Sequence, residues 1–111
     1  MSKSTPEDLA DVALRSFANI AEKWALTPQE CAALLGTAAT TSDRSGEAML
    51  NRISFMLGIY KALHTLFPDS AQADAWIRKD NAAFGCSALA LMQRDVLGLA
   101  AVRAYLDSQL V

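Results

Sequence analysis

The chain has 111 residues, of which 52% are hydrophobic and only five are glycine and three proline. This composition excludes a disordered protein and indicates one compact domain, or two very small helical ones that share a core. The formal net charge is −2 and the basic residues are scattered, which excludes a strong overall attraction to nucleic acid or to an anionic membrane, so any DNA contact must be local.

The N-terminal segment, the lack of a long apolar stretch and the two cysteines predict a cytoplasmic location. The N-terminal segment turns acidic at Glu7 and Asp8 without opening into an apolar run, so we expect no signal peptide. No uninterrupted apolar stretch is long enough to span a bilayer. The two cysteines, Cys31 and Cys86, fit reduced thiols that pack as small hydrophobic residues better than a secreted disulfide framework.

The N-terminal part of the chain carries the signals of an amphipathic helix. Thr5 is followed by Pro6 and two acidic residues, the order expected at a helix start. Apolar residues then recur at spacings of three and four, which predicts a helix that runs to about Trp24. Its apolar positions are Leu9, Val12, Ala13, Phe17, Ile20, Ala21 and Trp24.

A second, short helix follows. Thr27, Pro28 and Glu30 match a capping box with proline in the first helical position. This helix carries Leu34 inward, together with Cys31 and Leu35, and ends at Gly36, which can adopt the left-handed conformation. Residues 37–46 are small and polar, and we expect either a connecting loop or a weak third helix there.

This helix and the segment after it have the outline of a helix-turn-helix. The candidate DNA contacts are Thr40, Thr41, Arg44 and Arg52. A recognition helix usually presents basic or amide side chains, whereas here only the two arginines supply positive charge. DNA binding and simple packing against the next helix therefore remain equal alternatives.

A long helix from about Glu47 to Phe67 is the most informative element. Its narrow polar stripe consists of Glu47, Asn51, Ser54, Gly58, Lys61 and Thr65. A helix that is apolar over most of its circumference must be covered on several sides. We expect that cover to come from surrounding helices, from a second copy of the chain, or from both, and we predict at least a homodimer through this helix.

Short helices fill the rest of the chain. Pro68 ends the long helix, and Asp69 or Ser70 caps the next one, which closes on Arg78 and Lys79. Residues 80–85 form a loop with a sharp turn, and no convincing strand is predicted.

The last two predicted helices have caps of their own. Ser87 caps a short helix that carries Leu89, Leu91 and Met92, and Asp95 caps the last helix. The apolar set of that last helix is Leu97, Leu99, Val102, Tyr105 and Leu106. The sequence therefore predicts an all-α fold, a small helical bundle with a long central helix.

The sequence offers no positive sign of catalysis. His64 has no cysteine or carboxylate at metal-ligand spacing on its helix, so we predict no metal site. A nucleophile such as Ser87 or Cys86 could meet His64 only in the folded chain, and no local signature surrounds either residue. Glycines are too sparse for a phosphate-binding loop. We expect no enzymatic activity and no cofactor.

Several stretches together resemble a known family. The C-terminal part is similar to the toxin-binding domain of the Xre/MbcA/ParS antitoxins in the segments Leu66 to Asp69, Ala75 to Ile77, Lys79 to Gly85, Ser87 to Met92 and Val102 to Leu106. The upstream part is similar to that family's degenerate helix-turn-helix and long helix in the segments Trp24 to Glu30, Leu34 to Gly36 and Arg52 to Leu63. The resemblance thus covers nearly the whole chain. It implies an Xre-like part in residues 1–67 and a toxin-binding domain in residues 68–111, as one compact unit.

The resemblance also implies a function. A protein of this family is a type II antitoxin that covers the active site of a RES-domain toxin, which consumes NAD by phosphorolysis, hydrolysis or ADP-ribosyl transfer, and the complex can repress its own operon. Candidate toxin-binding residues are Arg78, Lys79, Asn81, Phe84, Gln93, Arg94, Arg103 and Asp107. Cations can approach a pocket built for a dinucleotide phosphate, and a carboxylate can mimic that phosphate. We expect Trp76 and Phe84 to lie in the core, because a small helical domain needs its aromatic residues for burial. The alternative function is a stand-alone helix-turn-helix transcriptional regulator.

Overall fold

The computed structural model describes residues 6–36 and 46–110, with the side chains of residues 11–36 and 48–110. The helices are α1 (Pro6–Lys23), α2 (Pro28–Leu35), α3 (Gly46–Leu66), α4 (Ser70–Ala75), α5 (Ala88–Arg94) and α6 (Val96–Leu110). A 3-10 turn (Trp76–Arg78) follows α4, and two short strands, β1 (Asp80–Asn81) and β2 (Cys86–Ser87), precede α5. The predicted all-α fold is confirmed. The predicted cap Thr5 and the predicted loop or weak helix at residues 37–46 lie outside the described residues, apart from Gly46, which begins α3.

The junction between α1 and α2 is closed by two capping motifs. The N–H groups of Leu26 and Ala25 donate to the carbonyls of Ala21 and Glu22, the two bonds of a Schellman motif. Ala25 therefore has a φ of +53°, which glycine would adopt with less strain. The next residues form the predicted capping box, in which the side chains and amides of Thr27 and Glu30 bond reciprocally.

The predicted end of α2 is also confirmed. Gly36 follows the helix with a φ of +78°. Leu34 is fully buried, whereas Cys31 and Leu35 are only partly buried. The prediction for α1 needs one correction. Val12 keeps 56% of its surface exposed, although its spacing places it with the apolar residues, because the neighbouring helices cover a narrower face of α1 than the periodicity suggested.

Helix α3 is the centre of the fold. It packs against α1, α2, α4 and α6, which supplies from within the chain the cover that its apolar surface requires. The polar stripe differs from the predicted one at a single turn. Gly58 is partly buried, because the guanidinium of Arg103 from α6 lies over it, and the neighbouring Leu57 is 40% exposed.

The segment after α3 is more irregular than predicted. Asp69 caps α4 by accepting a hydrogen bond from the N–H of Ala71, but the α-helix ends at Ala75 and the 3-10 turn continues to Arg78. The prediction that no strand occurs was wrong in one detail. β1 and β2 pair antiparallel, with Asp80 opposite Ser87, because the sharp turn between them brings two short extended segments side by side.

Helices α5 and α6 are joined by a very close turn. Ser87 Oγ accepts from the N–H of Ala90 at 3.1 Å, and Asp95 Oδ1 accepts from the N–H of Gly98 at 2.9 Å, so both predicted caps are confirmed. A β-carbon at Gly98 would overlap the carbonyl oxygen of Leu91. Glycine is therefore required where α6 approaches α5.

One buried cluster unites the helices. Its members come from α1 through α6 and are Phe17, Ile20, Trp24, Leu34, Ile53, Met56, Ile59, Ala62, Leu63, Ala73, Ile77, Ala88, Leu89, Met92, Leu99, Val102 and Leu106. Leu97, predicted to belong to the apolar set of the last helix, is instead 74% exposed. Within residues 6–36 and 46–110, no helix is both long and apolar enough to cross a membrane.

Candidate functional site

A tight hairpin connects the 3-10 turn to α5. The carbonyl of Asn81 accepts hydrogen bonds from the N–H groups of Phe84 and Gly85, both at 3.0 Å, and its side-chain oxygen accepts from the N–H of Ala83 at 2.9 Å. Gly85 closes the turn with a φ of +74°. Asn81 therefore organises the backbone of the loop, and the exposed tip at residues 82–83 is held in one conformation.

An aromatic cluster attaches this hairpin to α6. Phe84 packs edge-on against Tyr105, with ring centroids 5.1 Å apart, and against Trp76 at 6.4 Å. Trp76 stacks on Tyr105 at 6.3 Å. All three rings are partly buried and pack on the edge of the core. The expectation that Trp76 and Phe84 serve the core is thus met only in part, since each ring keeps one side at the surface.

A shallow groove lies beside the cluster, between α5 and α6. We call it the α5–α6 groove, and its lining residues are Leu91, Arg94, Asp95, Leu97, Gly98 and Ala101. Leu97, Ala101 and Tyr105 follow one another at intervals of four, so they share one face of α6. Leu97 and Ala101 of the groove and Tyr105 of the aromatic cluster therefore lie along the same face of α6.

Among the predicted site residues, Arg94 and Lys79 are free to meet a partner. Both are exposed, and neither side chain makes a hydrogen bond or ion pair with another described residue. Gln93, partly buried, donates from Nε2 to the carbonyl of Leu89 at 3.3 Å. Arg94 and Gln93 end α5, and Arg94 lines the α5–α6 groove.

Arg78 has a different environment. Its guanidinium meets both carboxylate oxygens of Glu30 at 3.1 and 3.2 Å, and it donates to the carbonyls of Ala25 at 2.9 Å and Trp24 at 3.1 Å. The hydrogen bond from Arg78 lowers the pKa of Glu30 below its ordinary value. Arg78 thus links the start of the hairpin to the junction between α1 and α2.

Arg103 and Asp107 lie apart from the other candidates. They form an ion pair across one turn of α6, with Nε 3.2 Å from Oδ2, on the side that faces Gly58 of α3. Tyr105, two residues from Arg103, is turned by about 200° around the helix. The structure therefore separates this pair from the surface that holds Phe84 and Arg94.

Three of the four candidate DNA contacts, Thr40, Thr41 and Arg44, lie outside the described residues. Arg52 is described. Its side chain lies beside Gly36, close enough that a β-carbon there would meet Arg52 Nε at 2.8 Å. Arg52 therefore packs at the end of α2, and its role towards DNA stays a prediction.

Among the described residues, His64 pairs with Asp74 and Tyr60 and with no candidate nucleophile. Its Nε2 lies 2.8 Å from Asp74 Oδ1, a pairing that fixes α3 to α4, and its ring packs against Tyr60 with centroids 4.2 Å apart. Ser87 Oγ is engaged as a helix cap. In the described part of the chain, no group of three or more potential ligand side chains could hold a metal ion.

The cysteines are free thiols, as expected. Cys31 and Cys86 are each partly buried and not joined to one another. Burial raises the pKa of Cys31, and the neighbouring Glu30 carboxylate adds to the effect. A raised pKa favours the thiol over the nucleophilic thiolate, so Cys31 fits a packing role.

Sequence reasoning missed the α5–α6 groove. A glycine inside a helical pattern can mark a close approach of backbone, and Gly98 is such a glycine. It could have indicated that α5 and α6 meet there. The exposure of Leu97 did have a local signal, because Leu97 lies about 140° around α6 from buried Val102 and about 200° from buried Leu99.

Comparisons with known proteins assign this surface to a family. Residues 62–109 match the model of the antitoxin Xre/MbcA/ParS C-terminal toxin-binding domain. The chain is also 36% identical over 106 residues to the uncharacterized protein y4oB of Sinorhizobium fredii, covering 86% of this chain and 82% of that protein. No solved structure matches the chain. The hairpin, the aromatic cluster and the α5–α6 groove all fall within the matched residues, and the chain belongs to the Xre/MbcA/ParS antitoxin family.

Proposed function

We propose that this antitoxin neutralises a RES-domain toxin by covering the cleft in which that toxin consumes NAD. The carrying observation is the match of residues 62–109 to a toxin-binding domain. These residues include α4, the hairpin, α5 and α6 up to residue 109, and they hold the aromatic cluster, the α5–α6 groove and the exposed cations Lys79 and Arg94. The proposed site of action is the cytoplasm, where the toxin meets its NAD.

The geometry supports a binding surface that is already ordered before it contacts the toxin. The hairpin is closed by Asn81, and the ring of Phe84 ties it to α6. Preorganisation of this kind lowers the entropy lost on binding. Lys79 and Arg94 add exposed cations on long side chains, which could pair with acidic residues of the toxin around its cleft.

Co-expression with the neighbouring toxin gene tests the proposal. The toxin alone should arrest growth and deplete cellular NAD, and co-expression of this chain should restore both. The matched control is Leu99→Asp, which places a charge at a fully buried position of α6 and should abolish rescue through loss of the fold. Growth arrest with unchanged NAD would reject the RES class of toxin, and failure of the wild-type chain to restore growth would reject the antitoxin role towards that gene product.

We also propose that the complex represses its own operon through the N-terminal half, in an assembly with at least two antitoxin copies. In support, α2 is a short capped helix that ends at a left-handed glycine, as the first helix of a helix-turn-helix does. Operator binding should weaken as salt rises, and Arg52→Ala should reduce the slope of that dependence by about one. An unchanged slope would remove Arg52 from the interface.

A further inference from the structure

The α5–α6 groove is the most exposed apolar feature of the toxin-binding domain. Leu97 keeps 74% of its surface in solvent, more than any other large hydrophobic residue in the described part of the chain. Burying a leucine side chain contributes about 1.5 to 3 kcal/mol relative to exposure. A partner that covers Leu97 would therefore gain binding free energy from this side chain.

The position of Leu97 is fixed by the backbone. The cap from Asp95 to the N–H of Gly98 sets the first turn of α6, and Gly98 lets that turn lie against the Leu91 carbonyl. Leu97 therefore stands on the lip of a groove whose floor includes Gly98 and Ala101. If α6 lay far enough from α5 to accommodate alanine at residue 98, the groove would have another shape.

Charge at the rim indicates the chemistry of the occupant. Asp95 Oδ1 is committed to the helix cap, whereas Arg94 is exposed and makes no ion pair among the described residues. An apolar side chain in the groove with a carboxylate next to it would satisfy both Leu97 and Arg94.

We propose that Leu97 is the main apolar anchor of the toxin contact, and that the α5–α6 groove receives a bulky apolar side chain of the toxin flanked by an acidic residue. The inference rests on the proposed function and adds the point of attachment. It commits to the toxin because the groove lies wholly within the matched residues 62–109 and its residues Leu97 and Ala101 share a face of α6 with Tyr105 of the aromatic cluster. A second copy of this chain is the competing occupant.

The test compares Leu97→Glu with Val12→Glu. Leu97 and Val12 are both exposed aliphatic residues, and Val12 lies on α1 outside the matched domain. The full-length chain and its variants are titrated against the purified product of the adjacent toxin gene, and each antitoxin alone is checked for mass by light scattering and for folding by circular dichroism. We expect Leu97→Glu to weaken binding at least 30-fold, which corresponds to about 2 kcal/mol, and Val12→Glu to change it less than threefold.

The outcomes separate the inference from the function on which it rests. Wild-type binding with Leu97→Glu within threefold of it overturns the anchor while leaving the antitoxin role intact. Equal weakening by both variants also overturns it, as does a change from dimer to monomer caused by Leu97→Glu alone, which would assign the groove to a second copy. If the wild-type chain does not bind the toxin, the proposed function fails and the anchor fails with it. Arg94→Glu, made in a chain that keeps Leu97, should weaken toxin binding by at least fivefold. If it has no effect, the proposed acidic residue of the toxin beside the groove is refuted.

Discussion

Replacement of Arg78 with methionine should lower the free energy of unfolding by about 2 kcal/mol. The guanidinium donates to two carbonyl groups at the α1–α2 junction, and each such bond contributes about 1 kcal/mol. The pair with Glu30 adds less than about 1 kcal/mol, because the Arg78 side chain is 42% exposed and solvent screens the pair. Methionine retains much of the aliphatic length of arginine, so the loss of polar contacts dominates.

Urea denaturation measures this effect directly. Trp24 is 1% exposed and contributes its own carbonyl to Arg78, so tryptophan fluorescence reports on unfolding at the affected junction. The matched control is Arg94→Met, which removes an exposed arginine without a partner and should change the free energy of unfolding by less than about 0.5 kcal/mol. In a chain of this size, about 2 kcal/mol corresponds to a decrease in Tm of about 8 °C.

A double-mutant cycle identifies the partner. Glu30→Gln alone and combined with Arg78→Met should show a coupling of about 0.5 to 1 kcal/mol. If Arg78→Met is no more destabilising than Arg94→Met, then Arg78 does not hold the junction; if the changes at Arg78 and Glu30 are additive, only Glu30 is excluded as its partner. In the first case, Arg78 would then again be a candidate toxin-binding residue, because its cation would not be engaged within the fold.

Four further substitutions test local features of the fold. Because the pKa of Glu30 is lowered in the folded state, its contribution should be complete above its ordinary pKa of 4.5 and lost as the pH falls below it; wild type and Glu30→Gln should therefore converge in stability in acid denaturation series. Ala25→Gly should raise the free energy of unfolding by up to about 1 kcal/mol in urea titrations, since the left-handed conformation strains alanine, and a destabilised variant would contradict the Schellman geometry. Gly98→Ala should cost about 2 kcal/mol, because the new methyl group meets the fixed Leu91 carbonyl. Gly58→Ala should be neutral or stabilising in the same urea titrations, because there the group in the way is the movable guanidinium of Arg103 and alanine favours the helix; equal losses at both glycines would refute the distinction.

Helix ends could be predicted from the sequence because their causes are local. The capping box at Thr27 and the caps at Asp69, Ser87 and Asp95 each depend on groups within three residues. Such bonds form whenever the chain is helical at that point, whatever surrounds it. The same locality explains why Gly36 was predicted to end α2.

Features that depend on distant residues could not be predicted. Glu30 and Arg78 lie 48 positions apart, and no pattern in either segment indicates their pairing. Ala25 is left-handed without being glycine or asparagine, the residues that usually signal this conformation. Val12 fits helical periodicity but remains exposed, since periodicity gives the spacing of a face and not the extent to which neighbouring helices cover it.

Which of the candidate residues contact the toxin stays a prediction. The sequence indicated their chemistry but not their environment: Arg94 lines the α5–α6 groove, whereas Phe84 packs against Tyr105. Arg103 was chosen from the sequence for its charge, yet it faces α3 over Gly58, because the position of a residue around α6 decides its neighbours. Whether that pair also reaches the toxin stays a prediction.

A fragment of residues 68–111 should fail to fold, although it contains all of α4, α5 and α6. Helix α6 packs most extensively against α3, and buried Leu99, Val102 and Leu106 belong to the same cluster as Ile59 and Leu63. Without α3 these side chains would face water, and a chain of this length has little other core with which to offset its conformational entropy. Circular dichroism of the fragment should show little helix and no cooperative melting, whereas residues 46–111, which restore α3, should gain helix. Cooperative unfolding of the shorter fragment would mean that the toxin-binding domain is independent of α3 and that residues 67 and 68 mark a true domain boundary.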